Sequence, residues 1–150
     1  MAKIDVTRHL KIVEKIPFLK SLSVYQIQQL LKAGNIETHP FGHTLFRQGD
    51  RSVGLYILLV GELVVQDGKT EIARIKPADI VGEMGVVGNQ PRSATVKVTQ
   101  EATLIFVSKI QFDVLLKNDV DMAARVFRNM LDSLFAKLLT TNERIKTGVL

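Results

Sequence analysis

The pattern of apolar and polar positions divides the chain into a helical start, a strand-rich middle and a helical end. In residues 1–35, apolar side chains recur every three or four positions, which predicts N-terminal helices. Pro17 divides this segment, Ser23 is a candidate N-cap for the second helix, and Gly34 is a candidate stop. Two interpretations stay open: a mobile or partner-binding element, and helices that simply pack on the core.

Residues 36–108 change to short apolar runs that are separated by turns rich in glycine and proline. Asp67-Gly68, between two such runs, predicts the clearest hairpin. Many short strands with no helices between them predict a mainly β architecture, an antiparallel barrel or jelly roll. The candidate strands are 36–39, 44–47, 55–60, 63–66, 71–75, 92–98 and 103–107.

Helical spacing returns at the end of the chain, with a short helix over residues 109–117 and a long helix over 119–146. Six positions of the long helix alternate in spacing between four and three residues, as in the seam of a coiled coil. This seam consists of Phe127, Leu131, Leu134, Leu138, Thr141 and Ile145, and Phe135 and Leu139 widen it. Dimerisation through this face and packing of the face on its own domain both stay open.

Composition excludes several classes of function. The 150 residues predict a single domain, 1–150, that is large enough to bury a core. The chain has no cysteine, which excludes disulfides and thiolate metal sites and fits a cytoplasmic location. The net charge of +5 comes from scattered basic residues, so nucleic-acid binding is not expected. The longest apolar run, 55–60, is far too short for a membrane span.

Motifs for catalysis are missing from the sequence. His39 and His43 lie close together, but no third histidine near them completes a metal site. There is no Gly-x-Ser-x-Gly turn for a nucleophile and no Walker loop for a nucleoside triphosphate. The sequence therefore predicts a protein that is not an enzyme and has no metal or cofactor.

The strongest chemical signal lies between Val81 and Val98. Polar and apolar residues alternate after Arg92, so Arg92 shares a face of the predicted strand with the apolar residues Ala94 and Val96. A guanidinium directed into an apolar interior is costly unless an anion meets it there. The pattern therefore predicts an anion beside Arg92.

The glycine-spaced residues before this strand indicate what kind of anion it is. Residues 82–88 can form a helical turn whose first N–H groups face an anion. Glu83 can accept hydrogen bonds from sugar hydroxyls, while Arg92 and Ser93 can donate to a phosphate. Donors for a phosphate and an acceptor for sugar hydroxyls together predict a site for a sugar phosphate. An ion pair between Glu83 and Arg92 that only fills the interior is an equally open alternative.

Two runs of residues resemble the phosphate-binding cassette of the cyclic nucleotide-binding domain family, which includes catabolite activators and protein kinase A regulatory subunits. The runs are Gly82-Glu83-Met84-Gly85 and Pro91-Arg92-Ser93-Ala94-Thr95-Val96. The resemblance implies a mainly β fold with flanking helices. In detail, it implies an eight-stranded antiparallel β-roll (a double-stranded β-helix of jelly-roll type) with N-terminal helices and a short plus a long C-terminal helix.

The ligand implied by the resemblance is cyclic AMP or, less expected, cyclic GMP. By similarity, Arg92 would bind the cyclic phosphate, Glu83 would bind the ribose 2′-hydroxyl, and Gly82 and Ser93 would complete the phosphate site. The implied ligand-binding residues are Gly82, Glu83, Met84, Gly85, Arg92, Ser93 and Ala94. In bacterial transcription factors of this family, a Thr-Ser pair late in the long helix contacts adenine. The matching dipeptide is Thr141-Asn142.

Three departures from the family pattern affect the interpretation. Val81 stands where the family usually has Phe, which leaves the site intact but less fully packed. Ser93 stands where guanine-selective relatives often have Thr, which favours cyclic AMP. Only a few residues follow Lys146, so the chain contains no helix-turn-helix or other effector domain.

The resulting hypothesis is a stand-alone cyclic-nucleotide sensor. Binding would reposition the C-terminal helices, and an unidentified protein effector or a second copy of the chain would respond. Two alternatives remain at this point. In the first, the chain is an interaction or structural module with a degenerate nucleotide pocket. In the second, it is a regulatory fragment of a larger channel, kinase or transcription factor.

Overall fold

The computed structural model describes residues 6–147 and contains an antiparallel sheet with helices on its flanks. The strands are β1 (Asn35–His39), β2 (Thr44–Phe46), β3 (Gly54–Asp67), β4 (Thr70–Ile75), β5 (Asp79–Val81) and β6 (Thr95–Ser108). The helices are α1 (Val6–Val13), α2 (Val24–Ala33), α3 (Glu83–Gly88), α4 (Lys109–Asn118) and α5 (Val120–Thr147), with a short 3₁₀ helix at Pro17–Leu19.

The two long strands β3 and β6 form the centre of the sheet. They pair from Gly54 opposite Ser108 to Gln66 opposite Thr95. β1 and β2 add to β6, whereas β4 and β5 add to β3. The whole sheet therefore depends on one long antiparallel ladder, which wraps around the interior beside α3.

The mainly β fold with flanking helices is confirmed. The described residues form six strands and not eight, because some of the predicted strands are joined into one. The predicted strands 55–60 and 63–66 are one strand, β3, whose register shifts repeatedly between Leu58 and Leu63. Gly61 lies inside this irregular stretch with φ of +99°, a conformation that favours glycine. Glycine thus bends a continuous strand here instead of ending it. The predicted strands 92–98 and 103–107 likewise belong to the single strand β6.

Several local signals in the sequence are confirmed. The Asp67-Gly68 turn joins β3 and β4, with Asp67 opposite Thr70. The Ser23 hydroxyl accepts a hydrogen bond from the Gln26 N–H at 3.1 Å, and the Gln26 side-chain oxygen accepts one from the Ser23 N–H at 2.9 Å, which makes a complete capping box. The short strand β5 was not predicted, because three residues after a Pro-containing turn carry little pattern.

The apolar core has two parts. One part lies between the sheet and the helices, and α2, α4, α5 and the 3₁₀ helix contribute to it. The other fills the interior of the roll and consists of Leu58, Leu63, Val81, Val96, Val98, Ala102 and Leu104. The second part packs against Phe46, whose ring lies over the guanidinium of Arg92.

α5 buries a different face from the predicted seam. Its buried side chains are Met122, Val126, Asn129 and Met130, and the Asn129 side chain donates hydrogen bonds to the carbonyl oxygens of Phe18 and Lys20 at 3.0 and 2.7 Å. The described apolar members of the seam are exposed: Phe127 44%, Leu131 65%, Leu134 41% and Leu138 57%. Packing of the seam on its own domain is therefore wrong for these residues. The side chains of Thr141 and Ile145 lie outside the described residues.

Within residues 6–147, none of the helices combines the length and the apolar character that crossing a bilayer requires.

Candidate functional site

Arg92 lies inside the roll, as the alternation predicted. It is 5% exposed, and Ala94, Val96 and Val98 are buried on the same side, while Ser93 is exposed. β6 itself begins only at Thr95, three residues later than predicted. The reason is that the main chain of Arg92 pairs with the loop before β3: its N–H donates to Asp50 at 2.8 Å and its carbonyl accepts from Gly49 at 2.8 Å.

The guanidinium of Arg92 is only partly satisfied. Nη1 donates to the carbonyl oxygen of Gly82 at 3.0 Å, and Nη2 donates to that of Gly54 at 2.5 Å. The guanidinium carbon lies 4.0 Å from the centre of the Phe46 ring. Nε is buried and has no hydrogen-bond partner among the described residues. A buried donor without a partner is rare and indicates that a group belongs beside it.

The surroundings of Arg92 disfavour its charge without removing it. Burial lowers the pKa of Arg92, and the nearby Tyr56, Asp50 and Glu83 partly offset this effect. An arginine stays protonated in proteins even so. Arg92 is therefore a fixed positive charge in an apolar setting, where it attracts an anion more strongly than it would in water.

Gly82 and Gly85 are needed for close packing in the cassette. Gly82 precedes α3 with φ of +85°, and a Cβ there would overlap Nη1 of Arg92. A Cβ at Gly85 would overlap the Ser52 hydroxyl and would lie 2.9 Å from the carbonyl oxygen of Gln90. Gly82 thus holds the Arg92 side chain in place, and Gly85 allows α3 to pack on the loop before β3.

A cavity of about 500 Å³, which we call the cassette cavity, opens over Arg92. It is lined by all seven residues predicted as ligand-binding: Gly82, Glu83, Met84, Gly85, Arg92, Ser93 and Ala94. The sequence did not identify its apolar wall, which includes Phe46, Val65, Ile72, Ala73 and Ile75. Ile72 is 57% exposed on the outer strand β4, and an exposed isoleucine at a strand centre is a weak signal of a binding surface.

A smaller cavity of about 400 Å³ is lined by residues of α3, β4 and α5. Glu83 and Met84 line both cavities, and Asn129, Met130 and Ser133 line the second from α5. The predicted base contacts lie further along the helix. Asn142 is exposed and is nine residues, about 13 Å, beyond Ser133. The Thr141 side chain lies outside the described residues.

A second buried charge, which sequence reasoning missed, lies at the bend of β3. The carboxylate of Glu62 accepts hydrogen bonds from Arg74 at 2.7 Å, Lys76 at 2.6 Å and Thr99 at 2.9 Å. The bonds from Lys76 and Arg74 contribute most to lowering the pKa of Glu62 to about 2. Because its partners lie on both neighbouring strands and on the segment after β4, Glu62 joins these segments beside Gly61.

Groups that bind metal ions are not found together in the described part of the chain. Among residues 6–147, no three histidine or acidic side chains form a cluster that could hold a metal ion. The His39 and His43 rings stack with their centres 4.1 Å apart, and His39 Nε2 lies 2.8 Å from the Glu37 carboxylate. His39 is the last residue of β1 and His43 lies on the turn that follows, and neither lines the cassette cavity.

Comparison with known proteins gives a consistent result. Residues 37–119 match the family model described as the cyclic nucleotide-binding domain. The chain is 31% identical over 112 residues to the cAMP-dependent protein kinase regulatory subunit of Schizosaccharomyces pombe, and the match covers 74% of this chain and 27% of that protein. The chain thus spans about a quarter of the length of this relative.

Solved structures share the fold. The N-terminal domain of a transcriptional regulator from Streptomyces coelicolor superposes with a TM-score of 0.76 at 21% identity, over 84% of this chain and 94% of that one. The regulatory domain of Toxoplasma gondii PKA, solved with cAMP, superposes with a TM-score of 0.73 at 26% identity, over 89% and 52% of the two chains. The family match covers more than half of the chain and includes the whole cassette. The chain belongs to the cyclic nucleotide-binding domain family.

Proposed function

We propose that the cassette cavity binds a cyclic purine nucleotide, with cyclic AMP preferred to cyclic GMP, and that the chain acts as a regulatory rather than a catalytic domain. The observation that carries this proposal is the buried Arg92, whose Nε has no partner among the described residues and whose side chain lines a cavity of about 500 Å³. A cyclic phosphate supplies the missing acceptor and the compensating charge.

Each predicted residue has a role in this proposal. Arg92 binds the exocyclic oxygens of the cyclic phosphate, because charged acceptors hold a guanidinium more strongly than the carbonyls of Gly82 and Gly54. Glu83 accepts a hydrogen bond from the ribose 2′-hydroxyl. Ser93, exposed at the cavity, donates its hydroxyl and its N–H to the phosphate. The apolar wall receives the flat purine.

Isothermal titration calorimetry with cyclic AMP tests the role of Arg92. The variant Arg92→Leu removes one member of a buried charge pair, so we expect it to lose about 2–5 kcal/mol of binding free energy. The exposed Arg51→Leu is the matched control and keeps its affinity. Undiminished affinity in Arg92→Leu would disprove the assignment.

The preference for cyclic AMP is the finer part of the proposal. It is supported by Ser93, at a position where guanine-selective relatives often have threonine. It is also supported by two similar proteins, the cAMP-dependent protein kinase regulatory subunit of Schizosaccharomyces pombe and the Toxoplasma gondii PKA regulatory domain solved with cAMP. Titration of both nucleotides into the same protein tests it. Equal affinity, or tighter binding of cyclic GMP, contradicts the preference, and Ser93→Thr is expected to shift the ratio towards cyclic GMP.

The adenine base is proposed to face α5. Thr141 and Asn142 remain the positions proposed by similarity. The smaller cavity, which Glu83 and Met84 also line, favours Met130 and Ser133 as a second set, nearer the start of the helix. Both sets place the base against α5, so nucleotide binding changes how this helix docks, to the extent that its affinity differs between the two arrangements.

A second proposal concerns the output. The described apolar side chains of the α5 seam are exposed on the side away from the buried Met122, Val126 and Met130. Alternation of four and three residues is the spacing with which two helices of the same sequence interlock. We propose that a second copy of the chain covers this seam. The alternative is an interaction module with a degenerate pocket. Calorimetric titrations that detect no binding of either nucleotide would favour this alternative.

A further inference from the structure

A polar cavity of about 500 Å³ lies between the 3₁₀ helix and α5. We call it the basic cavity, and it shares no lining residue with the cassette cavity. Its lining consists of Lys20, Ser21, Arg125, Arg128, Asn129 and Asp132. Three of these side chains are cationic and one is anionic, and none of them is aliphatic or aromatic. The proposed nucleotide site therefore does not account for this cavity.

One side of the basic cavity is the segment after the 3₁₀ helix, which α5 holds in place. Nδ2 of the buried Asn129 donates to the carbonyl oxygens of Phe18 and Lys20 at 3.0 and 2.7 Å. Nη1 of Arg125 donates to the carbonyl oxygen of Ser21. Ser21 has φ of +69°, a conformation that is uncommon and costly for a residue with a side chain. The segment is thus fixed in advance, so a ligand does not have to order it.

Two cations of the basic cavity are not used by the fold. Among the described residues, the Lys20 and Arg128 side chains have no hydrogen-bond or ion-pair partner. Asp132 lies one turn after Arg128 and also forms no ion pair with a described residue. Arg125, in contrast, pairs with Asp121 at 2.9 Å. The three cations exceed the two carboxylates by one charge, which favours an anionic ligand.

The available groups suit a small phosphate ester that also carries hydroxyls. An ammonium and a guanidinium are the usual side-chain donors to phosphate oxygens. The Asp132 carboxylate repels a bare phosphate but accepts hydrogen bonds from hydroxyls, and the Ser21 hydroxyl can donate or accept. The polar lining disfavours a purine, whose flat faces are buried best against apolar side chains.

We propose that the basic cavity binds a small phosphorylated sugar or polyol, with Lys20 and Arg128 on the phosphate and Asp132 on the hydroxyls. The ligand contacts α5 and the segment after the 3₁₀ helix together, so it stabilises the docking of one on the other. The proposal does not depend on the nucleotide site, because no residue of the cassette takes part in it.

Isothermal titration calorimetry of the full chain with glucose 6-phosphate, at physiological ionic strength, tests this proposal. We expect glucose 6-phosphate to bind, inorganic phosphate to bind more weakly and glucose not to bind. Lys20→Gln and Arg128→Gln should each weaken the binding of glucose 6-phosphate about tenfold or more, because each removes a charged hydrogen bond. The exposed Lys69→Gln, on the β3–β4 turn, is the matched control and keeps the affinity.

Asp132→Asn separates a specific site from general attraction of anions. Loss of its negative charge should tighten the binding of inorganic phosphate, and the advantage of glucose 6-phosphate should shrink, because a neutral amide accepts hydrogen bonds more weakly. Arg92→Leu should bind glucose 6-phosphate as the natural chain does. Loss of binding in Arg92→Leu would assign the phosphate to the cassette cavity and overturn the proposal. It would also be overturned by no binding of glucose 6-phosphate, by equal affinity for inorganic phosphate, or by undiminished affinity in Lys20→Gln and Arg128→Gln.

Discussion

Gly82 joins the backbone conformation of the cassette to the position of Arg92. Its φ of +85° suits glycine, and its carbonyl accepts a hydrogen bond from Nη1 of Arg92 at 3.0 Å. Any side chain at this position would displace the guanidinium as well as strain the backbone. A substitution of this one glycine is therefore expected to affect both stability and the proposed ligand binding.

Gly82→Ala is expected to lower the free energy of unfolding by about 1–2 kcal/mol from backbone strain alone, and more because the new methyl group overlaps Arg92. It should also weaken cyclic AMP binding. Gly88→Ala is the control, because a Cβ there meets nothing closer than 3.7 Å. Urea unfolding and calorimetry provide the two measurements. Equal stability of the two variants would contradict the strain argument.

The ion pairs of Glu62 lead us to expect that the stability of the fold depends on pH. Its pKa is lowered from 4.5 to about 2, so its ion pairs stabilise the fold fully above about pH 4.5 and this contribution is lost as the pH falls towards about 2. Glu62→Gln should unfold at a lower temperature than the natural chain at neutral pH, and the difference should shrink in acid. Thermal unfolding followed across this range measures it, with the exposed Glu101→Gln as control. A difference that stays constant with pH would contradict the prediction.

At the scale of elements, α5 connects the N-terminal segment to the cassette. Asn129 holds the helix to the carbonyls of Phe18 and Lys20, and Ser133, one turn further, lines the smaller cavity together with Glu83. The part of the helix that faces the cassette is thus near its middle. This geometry separates the two proposed sets of base contacts by about two to three turns.

Bulky substitutions distinguish these two sets. Ser133→Phe is expected to fill the cavity beside Glu83 and to weaken cyclic AMP binding by about tenfold or more, equivalent to about 1.4 kcal/mol. Asn142→Phe, on the exposed part of the same helix, should leave the affinity unchanged. Calorimetry of both variants decides between the sets. The reverse result would assign the base contact to Asn142.

For the whole molecule, the unusual feature is a helix with two apolar faces. One face packs on the domain, and the other carries Leu131, Leu134 and Leu138 in an exposed row. Monomeric proteins rarely expose a large continuous apolar patch. A row this regular supports the proposed dimer, in which a second copy of the helix covers it.

The double variant Leu131→Glu and Leu138→Glu tests the proposed dimer. We expect the natural chain to sediment as a dimer and this variant as a monomer, because like charges would meet along the seam. Phe41→Glu changes an even more exposed apolar residue outside the seam and should remain dimeric. Analytical ultracentrifugation with and without cyclic AMP measures both. A natural chain that is monomeric in both conditions would rule out the dimer.

Features that depend on neighbouring residues could be predicted from the sequence. The parity of Arg92, the Ser23 cap and the Asp67-Gly68 turn follow from side-chain alternation and short-range hydrogen bonds, and the structure agrees with each. The family resemblance also identified the seven cassette residues as a set, and they line one cavity, because all of them belong to two short runs beside one loop.

Which distant segments of the chain meet could not be predicted from the sequence and is seen in the folded structure. Whether Gly61 ends a strand or bends it depends on the partner strand, because the same backbone conformation serves both. The two apolar faces of α5 are alike in pattern, and the position of the 3₁₀ helix selected Met122, Val126 and Met130 for burial. Spacing along a helix records which side chains share a face but not what that face meets.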